Sequence, residues 1–266
     1  MALAITLIEL LKTKMPECQL FGTFHLFYLV IGFSVCLGLA ACLRHLSKPN
    51  HRRLLLAVWL FLLVSELFKQ WFWAYLITYR SYDWILFPFH LCSMPMYLLP
   101  FLIWGKNQKR NAAVEIFLMS FSFLGGLLSV LLDGGLLREY YALTITYLNW
   151  HLTLVFLGFY LGLRRKPQTE GFLSGVRVFA ILCGIAFFLN VLLYDFSNRQ
   201  IDMFFVGPAP MTLLVFMDIA EVAGRLITTV FYLILITFGA FLSYLLCGFI
   251  LPKYLFISRK QSQIDS

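Results

Sequence analysis

Seven apolar stretches of membrane-spanning length dominate this chain, at residues 22 to 43, 54 to 79, 84 to 105, 112 to 132, 143 to 163, 178 to 195 and 222 to 250. A hydrocarbon core about 30 Å thick is crossed by about 20 residues of helix, and lipid offers no partner to an open backbone N–H or C=O. The expected fold is therefore all-α, a polytopic membrane bundle of seven transmembrane helices. Composition excludes a water-soluble globule, since 61% of the 266 residues are hydrophobic and 13% charged, against about 25% charged in a soluble domain. The joints KPNHRR, GKNQKR, DGGLLRE and RRKPQTEG are too short to fold alone. The expected organisation is an extracytoplasmic interfacial helix over 1–21, with Leu3, Leu7, Leu10 and Leu11 on its apolar face, a membrane domain over 22–251, and a cytoplasmic tail over 252–266.

The net charge of +8 matters through where it sits. Taken alternately, the joints place Arg44, Lys48, Arg52, Arg53, Lys106, Lys109, Arg110, Arg164, Arg165, Lys166, Arg177, Lys253, Arg259 and Lys260 on one side. Only Lys12, Lys14, Arg80, Arg138 and Arg199 fall on the other. The positive-inside rule then puts the N-terminus outside and the C-terminus in the cytoplasm, as for a multi-pass protein of the cell membrane. Nucleic-acid binding is not implied. The six cysteines lie far apart with no C-x-x-C pair, so neither a zinc ribbon nor a disulfide framework is indicated. The pattern calls for no metal and no cofactor.

Counting helix rise from the basic ends places Glu66, Lys69, His90, Asn149, His151 and Asn190 roughly 7–12 Å below the outer boundary. Ionisable groups at such depth are costly unless they face the bundle interior and pair, so a convergent set marks a candidate site. Glu66 and Lys69 share a helix face at i, i+3. His90 and Cys92 are two residues apart and diverge on a regular helix, while Pro95 withholds the donor that would bond the carbonyl of Leu91. His90 shares its face with Ser93. His151 is the best base candidate, because an imidazole carries protons near neutrality. Asp218, Glu221 and Arg225 form a polar stripe at the start of the last helix, and Gly207-Pro208-Ala209-Pro210 cannot be regular helix.

With FPFHLCSMPMYLLP on the third stretch, YLNWH on the fifth and DMFFVGPAPMTLLVF before the seventh, the chain resembles the YwaF family of bacterial integral membrane proteins. That family is similar to eukaryotic membrane acyltransferases that remodel ether phospholipids through a cysteine and a histidine on corresponding helices. The resemblance implies acyl transfer or acyl hydrolysis on a phospholipid or acyl-lipid substrate in the outer half of the bilayer. His151 would be general base, His90 a second acid/base group, and Cys92 or Ser93 the nucleophile. Glu66, Lys69, Asn149 and Asn190 would bind substrate. The alternative is a transporter or channel for a small solute or lipid, which needs polar groups along both halves of a path.

Overall fold

The computed structural model describes residues 9–78, 82–165 and 171–255, the side chains of Leu214 and Val215 excepted. In chain order its helices are α1 (Thr23–Leu43), α2 (Lys48–Ile77), α3 (Met94–Trp104), α4 (Gln108–Leu132), α5 (Tyr141–Arg164), α6 (Phe172–Leu193), α7 (Leu214–Ala223) and α8 (Arg225–Leu255). Among the described residues six of these, α1, α2, α4, α5, α6 and α8, are long and apolar enough to cross a membrane. The protein is thus an all-helical, multi-pass membrane protein, with six helices of spanning length where seven were expected.

The difference lies in the third stretch. Residues 84 to 105 do not form one helix. A single 3-10 turn at Trp84–Leu86 gives way to extended backbone, a second 3-10 turn follows at Leu91–Ser93, and only then does α3 begin. Pro88 explains the first interruption, because a residue before proline is pushed out of the helical region, and Phe87 has φ −55° and ψ 126°. Pro95 explains the second. It has no N–H for the Leu91 carbonyl, which instead accepts from the Met94 N–H, one residue closer.

The seventh stretch is also divided. Gly224 has a φ of 82°, a left-handed conformation that glycine adopts without steric cost, and it separates α7 from α8. The expected stripe of Asp218, Glu221 and Arg225 is broken there. Asp218 and Glu221 stay exposed on α7, while Arg225 opens α8 and turns to a different carboxylate.

In the N-terminal segment, Leu3 and Leu7 lie outside the described residues, as do Arg80, Lys166, Arg259 and Lys260. Residues 9–11 are helical with Leu10 exposed. The chain then runs antiparallel to the start of α5. The Met15 N–H donates to Glu139 O at 2.7 Å, the Tyr141 N–H donates to Thr13 O at 3.2 Å, and Lys14 pairs with Glu139.

α5 is the central helix, packed against α1, α2, α4 and the end of α8. Small residues allow the closest approaches, as membrane interfaces require where no hydrophobic drive separates helix from lipid. A Cβ on Gly126 of α4 would stand 2.8 Å from the carbonyl oxygen of His151, and one on Gly162 would stand 2.4 Å from that of Cys247. Between α4 and α6 buried rings pack together, with Phe121 stacked on Phe117 at 5.5 Å and on Phe179 at 4.4 Å. Helix ends are closed across the bundle. Arg164 donates to Arg44 O and Leu46 O beyond the end of α1, and His25 of α1, fully buried, donates through Nε2 to Val130 O in the last turn of α4.

Candidate functional site

Lys69 is the centre of the polar arrangement. Its Nζ lies 2.8 Å from Glu66 Oε1, and the two side chains are 14% and 7% exposed. The carboxylate is held further by Gln70, whose Nε2 donates to Glu66 Oε1 at 2.7 Å and to Leu86 O at 2.9 Å. This second bond ties α2 to the irregular segment that precedes α3. Tyr82 completes the rim: burial first, then the Glu66 carboxylate, pushes its phenol up to about 12. The Glu66–Lys69 pair acts on His90 and Cys92 with opposing charges, and Lys69 acts also on His151.

The break before α3 decides how His90 and Cys92 lie. His90 is extended, with φ −100° and ψ 167°, and immediately precedes the turn that carries Cys92. The divergence expected of two residues on a regular helix therefore does not arise, because no regular helix contains both. His90 Nε2 sits 3.1 Å from Ile85 O. A carbonyl only accepts, so Nε2 carries the proton and Nδ1 is left as the acceptor. Cys92 as a residue is half-buried, whereas Ser93 is 4% exposed. Trp150, the residue before His151 on α5, donates its indole N–H to Cys92 O at 3.2 Å and thereby locks the cysteine turn to α5.

His151 is 6% exposed. Its Nδ1 lies 2.8 Å from the Tyr147 carbonyl one turn earlier, so Nδ1 is the protonated nitrogen and Nε2 presents a lone pair. Among the described residues nothing hydrogen-bonds to that Nε2. Tyr147 is itself held by the Trp73 indole N–H at 2.9 Å, with the Arg138 guanidinium over both rings at 5.4 Å.

The two asparagines stand apart from this group. Asn149 accepts from the Tyr28 hydroxyl at 2.9 Å on the α1 side of α5. Asn190, fully buried on α6, spends both ends of its amide on the backbone of Met203, accepting from its N–H at 2.7 Å and donating to its carbonyl at 2.9 Å. That bond holds a loop the sequence marked only by its prolines. In it Asp202, with a side chain 4% exposed, accepts from Arg225 Nη2 at 2.8 and 2.7 Å and from the Gly207 N–H at 2.8 Å. Burial pushes the Asp202 carboxyl above its ordinary range, and the guanidinium and the Gly207 N–H pull it back. So anchored, the loop carries Phe204 and Phe205 at φ 55° and 53°, a left-handed conformation that costs on the order of 1–3 kcal/mol per residue. Phe205 lies against the His90 ring at 6.2 Å, and Phe204 against Phe89 at 6.0 Å. Asp202 and Arg225 are 23 residues apart, and their partnership has no local signature.

The chain matches the TMEM164 family over residues 20–247 and belongs to it. This corrects the resemblance to the YwaF family. That resemblance rested most specifically on the Pro-x-His-Leu-Cys segment at Pro88 to Cys92 followed by His151, and the family model that matches the chain is the TMEM164 one. No curated protein and no solved structure matches the chain.

Proposed function

We propose that this member of the TMEM164 family is an integral membrane enzyme of the cell membrane that transfers or hydrolyses acyl chains of phospholipids, with Cys92 as nucleophile and His151 as general base. The observation that carries the reading is the hydrogen bond from His151 Nδ1–H to the Tyr147 carbonyl. It leaves a buried imidazole with an unengaged basic nitrogen, beside a tryptophan that holds the cysteine turn in place. A cysteine needs such a base, because the thiolate and not the thiol attacks. Cys92 is preferred over Ser93 because a thiol loses its proton more readily than a hydroxyl and is the stronger nucleophile once it has.

In the first half-reaction His151 Nε2 takes the Cys92 proton and the sulfur bonds to the ester carbonyl carbon. The C–O bond of the ester breaks, and the leaving lysolipid oxygen takes the proton back from the imidazolium. In the second, a lipid hydroxyl or a water gives its proton to Nε2 and attacks the thioester. The C–S bond breaks and the thiolate recovers the proton. Lys69, paired with Glu66, supplies positive charge toward the reacting groups without leaving a net charge in the membrane. A transport path is disfavoured by the buried rings of Phe117, Phe121 and Phe179, which stack between α4 and α6.

The test is acyl exchange on a phospholipid with a labelled chain, using purified protein in nanodiscs. His151→Ala and Cys92→Ala should each lower the rate at least about 100-fold, with elution and melting unchanged. The wild type should also retain label on Cys92 that hydroxylamine releases. Full activity of Cys92→Ala overturns the thioester route, and full activity of His151→Ala overturns the enzyme reading.

A further inference from the structure

α5 presents a second polar residue to a different environment. Asn149 and His151 are two residues apart on a regular helix and so point to opposite sides of α5. On the Asn149 side, α1, α2 and α5 enclose a lateral groove of 640 Å³, within the range of ligand pockets. Its walls are apolar, from Phe27 to Leu39 on α1, from Ala57 to Phe61 on α2, and from Leu152 to Phe156 on α5. The thirteen residues from Phe27 to Leu39 span about 18 Å along the helix axis, so the groove runs parallel to the lipid chains beside it. Gly32 lets its floor come close, since a Cβ there would meet Leu152 at 2.5 Å.

One end of the groove is polar. The Asn149 carbonyl oxygen is taken by the Tyr28 hydroxyl, and among the described residues its Nδ2 has no acceptor. An amide N–H without a partner is expensive in a water-free surround. The groove therefore offers a long apolar slot for a chain and, at its head, two donor hydrogens in want of an acceptor.

We propose that this groove holds one acyl chain of a bilayer glycerophospholipid, with the ester carbonyl accepting from Asn149 Nδ2. The chemistry is complementary: an ester carbonyl accepts and cannot donate, the free group donates, and the remainder of an acyl chain matches the apolar walls. The surrounding bilayer is the source, and entry is sideways from lipid. The site lies on the opposite side of α5 from His151 and does not depend on the catalytic reading.

The experiment uses full-length protein in nanodiscs of phosphatidylcholine that contain a phosphatidylcholine with a diazirine on its acyl chain. After illumination and digestion, adducts should concentrate on residues 27–39 and 149–156, above the level on the lipid-facing Ile181 and Phe188 of α6. Ala57→Phe places a ring in the groove from an exposed position, so it can fold, and it should lower the groove adducts at least ten-fold. Asn149→Leu removes the hydrogen bond to the ester, along with the one from Tyr28, and should lower them about five-fold. Adducts in the two variants elsewhere on the protein should stay constant. The proposal is overturned by labelling in the groove no greater than on α6, by insensitivity to Ala57→Phe, or by a diazirine sterol that labels the groove in preference to the phospholipid.

Discussion

At the scale of single residues, the Glu66–Lys69 pair has the largest expected effect on folding. Its two side chains are withdrawn from water, and removing one partner of a buried pair strands the other charge, at about 3–5 kcal/mol, while replacing both is near neutral. Lys69→Met should therefore lower the melting temperature sharply, and Glu66→Gln combined with Lys69→Met should recover most of the loss. Thermal unfolding in one detergent compares the three proteins. Equal stability of the single and double variants would show that Glu66 finds its counter-charge elsewhere. The double variant also isolates the electrostatic part of the site, because its fold is retained while both charges of the pair are gone.

Among the elements, α5 determines the most, and at Gly126 the backbone of α4 comes directly against it. The site for a Cβ on Gly126 is 2.7 Å from Leu154 Cβ and 2.8 Å from His151 O. Backbone cannot swing aside as the end of a flexible side chain can, so the two helices must part. Gly126→Ala should cost about 1–3 kcal/mol through overpacking and should shift the turn that carries His151. The expected result is a lower melting temperature together with reduced acyl exchange. Gly38→Ala, where a Cβ meets nothing, should leave both unchanged.

For the whole molecule, the charge count remains the basis for orientation. Nineteen Lys and Arg in joints and termini divide fourteen to five, which predicts cytoplasmic KPNHRR and RRKPQTEG segments and an extracytoplasmic N-terminus. A cysteine placed at the exposed Asn50 of a cysteine-free variant should resist an impermeant thiol reagent applied to intact cells and react after permeabilisation. Labelling of intact cells would invert the topology. Six helices of spanning length leave the segment from 82 to 104 to be placed, and Lys106 and Arg110 should behave as Asn50 does if that segment crosses.

Composition and period alone determined that the chain is a helical membrane bundle, because lipid leaves the backbone no other way to satisfy itself. They also singled out Glu66, Lys69, His90 and His151 as polar groups expected at one depth, a count by helix rise that does not carry over to His90, whose backbone is extended. Two things depended on tertiary structure. A proline is visible in a sequence, but whether Pro88 and Pro95 kink a helix or prevent one depends on what takes up the freed carbonyls, and here Gln70, Met94 and Trp150 do so from α2, the local turn and α5. Which side of a helix faces protein and which faces lipid is likewise unreadable where every side is apolar. The i, i+2 spacing of Asn149 and His151 puts them on opposite sides of α5, but only the packing decided that Asn149 meets Tyr28 of α1 there.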